Sequence, residues 1–181
     1  MIQFKIFNKN NCLELGDKLR NLYLNTFTKG LSAQHITPEE ADAYLGALFA
    51  KGFAVLGWDE DQVVAALIAT PPSFDQERPQ QLIKAYKDDD TLYIAEVLVD
   101  EHYRGEGLGK MLFQEFETYL DAQIKQVLLR VWSKNEIAVG LYKNSGFQEC
   151  GKIVQQKLKP VSKEVFEMEK LYMVKSYSNK L

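Results

Sequence analysis

Apolar positions along this chain switch between a period of two and a helical period, and the switches fall at glycines, prolines and capping residues. Ile2, Phe4 and Ile6 alternate with polar residues, which predicts a short opening strand closed by a turn at Asn8 to Asn11. From Cys12 to Phe27, Leu15, Leu19, Leu22 and Tyr23 recur at helical spacing and predict one helix. Gly30 and Ser32 loosen the chain before a second helix with stronger start signals. Thr37 is a good N-cap, Pro38 suits the first helical position and Glu40 completes a capping box. Ala41, Tyr44, Leu45, Leu48 and Phe49 form the buried stripe of that helix, and Gly52 ends it.

The middle of the chain reads as sheet. Phe53 to Trp58 and Val63 to Thr70 form a hairpin around Asp59-Glu60-Asp61, and Pro71 and Pro72 stop it. Gln76 to Asp90 is a polar excursion with a short helix from Gln80 to Lys87. Its closing Asp88-Asp89-Asp90 is a solvated loop or, functionally, an acidic lip that attracts cations. Leu92 to Val99 is a strand that enters a turn carrying Arg104, Gly105, Gly107 and Gly109. An amphipathic helix leaves the turn with Leu108, Met111, Leu112, Glu115, Phe116, Tyr119 and Leu120 on one stripe. Val127 to Trp132 is another strand, and Asn135 caps a short helix lined by Ile137, Ala138, Leu141 and Tyr142 that closes at Gly146. Gly140 inside that helix costs about 1 kcal/mol relative to Ala, which points to close packing or a neighbouring ligand. Phe147 to Leu158 and Val165 to Lys175 finish the sheet as an antiparallel pair. The order β-α-α-β-β-β-α-β-α-β-β describes one α/β layer structure with a mixed sheet, spanning residues 1–181 as a single domain.

Composition narrows the function. With 181 residues, 46% hydrophobic and 26% charged, the chain is an ordinary soluble globular sequence. A net charge of −3 and the absence of a Lys/Arg run argue against nucleic acid as a partner. No signal-peptide core and no apolar run of membrane-spanning length are present, so the expected setting is cytoplasmic and off the membrane. Two cysteines and no Cys/His cluster predict neither a disulfide framework nor a metal site. Oligomeric state stays open, a homodimer included.

The glycine turn carries the chemistry. Strand, glycine-rich turn and helix N-terminus together make an anion site, because backbone N–H groups converge there and the helix dipole adds partial positive charge. Arg104 supplies a full charge at its rim. The nucleotide fingerprints do not fit: no G-x-G-x-x-G is present, and Lys110 is followed by Met111 rather than Ser or Thr.

With Val99 to Gly109 matching V-x-x-x-x-R-G-x-G-x-G, Leu129 to Asn135 matching L-x-V-x-x-x-N, and Leu141 to Phe147 matching L-Y-x-x-x-G-F, the chain resembles the GCN5-related N-acetyltransferase superfamily. The firm match runs from Thr91 to Gly151. The resemblance implies a mixed sheet of about seven strands with splayed central strands and about four flanking helices. It implies acetyl-coenzyme A as donor, held by Val97, Leu98, Val99, Arg104, Gly105, Glu106, Gly107, Leu108, Gly109, Lys110 and Asn135. The pyrophosphate would lie on Arg104 to Gly109, and the pantetheine arm would pair with the backbone of Val97 and Val99 where two parallel strands separate. Tyr142 matches the family's proton donor to the coenzyme thiolate.

The base can be argued from chemistry. Acyl transfer to an amine needs the amine neutral, yet an alkyl ammonium has a pKa near ~10, so about one part in a thousand is neutral at pH 7. A carboxylate in a half-apolar cleft relays that proton through water. Glu96 is the candidate: mid-strand, with Ile94 and Leu98 on its own face, where desolvation raises its pKa. A structurally paired glutamate, or one turned to solvent by a bulge, is the competing reading. Relatives that acetylate protein N-termini often carry a glutamate between the Leu and Val of the second motif; here that position is Arg130, which cannot accept a proton. Arg130 could pair with Glu96, hold a substrate carboxylate or lie on the surface. His35 and His102 receive no role. Tyr44-Leu45-Gly46, Asp61 to Leu67, Phe74 to Gln76 and Tyr93-Ile94 with an acid at 96 also look similar to the aminoglycoside 3-N-acetyltransferases. The expected activity is acetylation of a primary amine on a small cationic molecule, of aminoglycoside or polyamine type. The alternatives are a non-catalytic acyl-CoA sensor and a protein N-acetyltransferase.

Overall fold

A computed structural model describes residues 1–29 and 33–177. The loosened stretch around Gly30 and Ser32 lies outside the described residues. Seven strands form one sheet: β1 (Gln3–Asn8), β2 (Phe53–Asp59), β3 (Gln62–Thr70), β4 (Thr91–Val99), β5 (Gln126–Trp132), β6 (Gln148–Leu158) and β7 (Val165–Ser176). Their order is β1-β2-β3-β4-β5-β7-β6. Among the described residues only β4 and β5 pair in parallel; every other neighbouring pair is antiparallel. The helices are α1 (Lys18–Phe27), α2 (Pro38–Lys51), α3 (Gln80–Ala85), α4 (Leu108–Thr118) and α5 (Glu136–Asn144).

The predicted element order holds, with two local changes. The helix expected over Cys12 to Phe27 is broken: Cys12–Leu15 is a 3-10 turn, and Gly16 at φ +52° ends it before α1 begins at Lys18. The excursion's helix stops at Ala85. Helix α2 begins as its sequence demands, with Thr37 accepting from Glu40 N and Glu40 reaching back to Thr37 N.

Two apolar layers sandwich the sheet. On one face Leu19, Leu22 and Tyr23 of α1 and Leu45, Leu48 and Phe49 of α2 pack on Ala66, Ile68 and Leu98. On the other, Leu108, Leu112, Phe113 and Phe116 of α4 pack with Tyr142 and Phe147 against Leu67, Ile94 and Leu129. The α4 stripe is therefore rotated from the expected one. Phe113 is buried, whereas Met111 and Tyr119 are exposed. Strand β3 is buried on both faces from Val63 to Thr70, as its unbroken apolar run requires.

Two irregularities of β4 shape the site. Ile68 pairs with Glu96 while the next residue, Ala69, pairs with Ile94, so Ala95 is an extra residue in a β-bulge. The bulge reverses the alternation of faces: Ile94 and Val97 pack on the α4 side, whereas Leu98 packs on the α1/α2 side. Glu96 shares a face with Leu98 but not with Ile94, which corrects the simple period-two reading. Pairing of β4 with β5 also ends at Ile94 and Leu129. Beyond that point β5 stays paired only with β7, and the two parallel strands separate.

Candidate active site

The separation of β4 from β5 opens a cleft of about 530 Å³, and both residues assigned chemistry from the sequence line it. Glu96 enters from β4 and Tyr142 from α5. Tyr23 and Tyr44 contribute from α1 and α2, Arg130 and Trp132 from β5, and Lys157 and Lys170 from β6 and β7.

The bulge aims Glu96 toward α2, where the hydroxyl of Tyr44 donates to Glu96 Oε1 at 2.8 Å. Burial pushes the Glu96 carboxyl up to about 7, against the downward pull of that hydrogen bond and of the Lys170, Arg130 and Lys157 cations. Its carboxyl thus titrates where a base working at neutral pH is most effective. Tyr44, expected on the buried stripe of α2, packs its ring on that core beside Tyr23 and Phe74 and also carries its hydroxyl into the cleft. Its importance could not be separated from packing by helical spacing alone.

Tyr142 is buried against Phe113, at 5.7 Å between ring centroids, and Phe147, at 6.1 Å. Burial, and then the charge of Glu96, raise its phenol pKa far above the ordinary value, so it stays protonated at any working pH. Asn135 caps α5 by accepting from Ala138 N at 3.2 Å and also lines the cleft.

Arg130 does not pair with Glu96. Its Nη1 reaches Asp75 Oδ1 and Glu77 Oε2, each at 3.0 Å. Asp75 is buried and also accepts from Tyr172 at 2.7 Å. Buried Arg78 donates to the carbonyls of Asp75 and Tyr86. These bonds pin the excursion between β3 and β4 onto the sheet, so its first half is not a solvated loop. Asp75 and Arg78 went unassigned in the sequence because nothing in a polar segment marks which polar residues turn inward. The acids at its end are tied locally: Asp88 accepts from Ser73 N, and Asp90 from Thr91 and Lys125. None of the three lines the cleft.

The turn after β4 has the backbone geometry expected of an anion site. Gly105 and Gly107 adopt φ of +83° and +79°, a region that side chains resist. Gly107 is the N-cap of α4 and has no side chain to offer, which leaves first-turn N–H groups without an internal partner. Gly109 has a different job: a Cβ there would come within 2.9 Å of Leu141 Cδ2, so its absence lets α4 approach α5. Arg104, exposed at the rim, donates from Nε to the carbonyl of Val99 at 3.1 Å. Leu108 is buried, whereas Glu106 and Lys110 are exposed around the turn. Asp100 N bonds to Val64 O on β3, and backbone groups alternate sides along a strand, so the amides of Val97 and Val99 face the gap. Leu98 points its side chain into the α1/α2 layer and its amide at β3.

An open strand edge ending in a glycine turn at a helix N-terminus suits an elongated, phosphate-bearing ligand, and comparison with known proteins decides which family built it. The acetyltransferase (GNAT) family profile matches residues 17–147. The chain belongs to the GNAT acetyltransferase family. It is an acetyl-CoA-dependent N-acetyltransferase.

Solved structures share the fold of this acetyltransferase over nearly the whole chain. An Arabidopsis thaliana NAA60 structure in complex with a bisubstrate analogue has a TM-score of 0.67 at 16% identity, covering 99% of this chain and 100% of that one. A ribosomal-protein-alanine N-acetyltransferase from Brucella melitensis has a TM-score of 0.66 at 18% identity, with coverage of 97% and 99%. A GNAT acetyltransferase from Elizabethkingia anophelis with acetyl-CoA bound has a TM-score of 0.62 at 12% identity, with coverage of 97% and 98%.

The residues of this acetyltransferase fit the coenzyme. The unpaired β4 edge and the uncapped first turn of α4 are joined by the glycine turn, and nothing lies within 4 Å of where a Cβ at Gly140 would sit. That openness removes close helix packing as the reason for Gly140. No helix among the described residues is long and apolar enough to cross a membrane.

Proposed function

We propose that this acetyltransferase, acting as a single domain, moves the acetyl group of acetyl-CoA directly to a primary amine on a small molecule. In this reading Glu96 is the general base and Tyr142 the general acid. The observation that carries it is that both side chains line one cleft, at the point where β4 leaves β5.

Acetyl-CoA supplies an activated acyl group as a thioester. Glu96 takes the proton of the incoming ammonium through a bridging water, because its carboxyl titrates at about 7 and is ionised in a useful fraction at neutral pH. Tyr44 holds the carboxylate in place from the α2 side. Tyr142 keeps its proton and offers it to the departing sulfur. Val97 and Val99 present backbone along the open edge. Gly105, Glu106, Gly107, Leu108, Gly109 and Lys110 contribute turn N–H groups, Arg104 adds charge for the pyrophosphate, and Asn135 holds the start of α5 beside them.

Arg130 is neutralised by Asp75 and Glu77, which supports a structural part for it over a substrate contact. The expectation of a polycationic acceptor drew on the likeness to aminoglycoside acetyltransferases and on an acidic lip at 88–90, and those acids lie away from the cleft wall. The test is thiol release from acetyl-CoA. Glu96→Gln and Tyr142→Phe should each lower turnover at least about tenfold while coenzyme affinity hardly moves. Unchanged turnover in both variants refutes the assignment.

A further inference from the structure

The acceptor wall carries cations that the chemistry above leaves unused. Lys157 on β6 and Lys170 on β7 both line the cleft, on the same sheet face as Gln155 and Met168. Other lysines of this hairpin are paired: Lys152 with Glu169 at 3.1 Å, and Lys159 with Glu164 at 2.9 Å. Lys157 and Lys170, which face inward, have no carboxylate within ion-pair distance and no hydrogen bond among the described residues. Glu77 and Glu96 act on both lysines only through space, and the nearby acids are bonded elsewhere. Glu40 is held in the α2 capping box, Glu77 takes Arg130 and Gln155, and Glu96 accepts from Tyr44.

We infer that the acceptor is a primary amine that also carries an oxyanion, a carboxylate or a phosphate, with the amine directed to Glu96 and the oxyanion to Lys157 and Lys170. This rests on the acetyl-transfer reading and names the substrate class of the same site. Two ammoniums half-removed from water form a poor wall for a polycation, since each added positive charge is repelled there. They form a good wall for an anion, whose charge replaces the missing carboxylates. Burial already pushes the Lys170 ammonium down to about 8 and lowers Lys157, so the cleft without an anion holds these charges at a cost. Aromatic side chains at Tyr23, Phe27, Tyr44 and Trp132 line the same cleft and suit an apolar body between the two polar ends.

The experiment uses amines matched except for the anion. Phosphoethanolamine is set against ethanolamine, L-phenylalanine against L-phenylalaninamide, and spermidine serves as the polycation. With acetyl-CoA and full-length protein, kcat/KM from thiol release should favour at least one anionic member over its partner by at least about tenfold. Which pair shows it distinguishes phosphate from carboxylate. Lys157→Met with Lys170→Met should bring that ratio near one, and the paired Arg variants should keep it, which separates lost charge from lost folding. A preference for spermidine or the neutral amines, or a ratio that survives the Met variant, overturns the inference. Calorimetry on the protein loaded with desulfo-CoA reads the oxyanion site without turnover: anionic members should bind more tightly, and equal or weaker binding overturns it. Failure of CoA to bind, or of any amine to release thiol, instead counts against the transfer reading.

Discussion

The hydroxyl of Tyr44, on α2, donates to Glu96 Oε1, on β4, at 2.8 Å, and this bond joins the helical wall of the cleft to the proposed base. The bond favours the ionised carboxylate, so removing it should raise the Glu96 pKa above about 7. Groups facing Glu96 also include Tyr23 from α1, Tyr142 from α5, Arg130 from β5, Lys157 from β6 and Lys170 from β7. Tyr44→Phe leaves all of these in place. Its rising limb in a pH profile of kcat/KM should move to higher pH and approach the same plateau; an unmoved limb would show that the bond does not tune the base.

Glu96 also sets a pH dependence of stability. Its folded pKa, about 7, lies above the ordinary 4.5, so the folded protein binds this proton more tightly than the unfolded chain. The contribution is fully present below about 4.5 and is lost as pH rises through 7. Glu96→Gln, which cannot ionise, should therefore gain stability on the wild type between pH 5 and pH 8, by up to roughly 3 kcal/mol. Urea melts at the two pH values measure it. An equal difference at both would place the carboxyl in water.

Gly109 in α4 and Gly140 in α5 should behave oppositely. Gly109→Ala sets a Cβ within 2.9 Å of Leu141 Cδ2 and should cost about 1–3 kcal/mol as the side chains shift. Gly140→Ala meets nothing and should stabilise the coenzyme-free protein by about 0.5–1 kcal/mol. If the coenzyme lies beside Gly140, the same variant binds CoA more weakly. Thermal melts with and without CoA read both effects, and a destabilised coenzyme-free Gly140→Ala would contradict the open geometry.

Arg130 and Asp75 form a pair with side chains 22% and 3% exposed. Arg130→Met strands the Asp75 carboxylate and should cost about 3–5 kcal/mol. Adding Asp75→Asn should recover part of that loss. Denaturant melts of the single and double variants test it, and additive losses would mean that the pair is not coupled.

Much of the backbone around the glycine turn was legible because such chemistry is written locally. Positive-φ glycines, a helix start without a side-chain cap, and an Asn cap at 135 all follow from short-range rules. Seven strands in the expected order follow from runs that alternate or stay apolar. The bulge at Ala95 was not legible: one added residue changes no composition, yet it reverses the face of Glu96 relative to Ile94. Nor could spacing show that Tyr44, packed on the core stripe, also reaches Glu96, or that Asp75 and Arg78 turn inward from a polar segment. Lys157 and Lys170 are ordinary residues of alternating strands until β6, β7 and β5 are placed side by side.

The central claim is that Glu96 is the base for acetyl transfer in the cleft between β4 and β5. It is tested most directly by the pH dependence of kcat/KM for thiol release, measured on the wild type and on Glu96→Gln with the same amine. The wild type should show a rising limb near pH 7, and the variant should lose that limb and fall at least about tenfold at pH 8 with CoA affinity preserved. A Glu96→Gln enzyme that keeps both the limb and the rate would contradict the account.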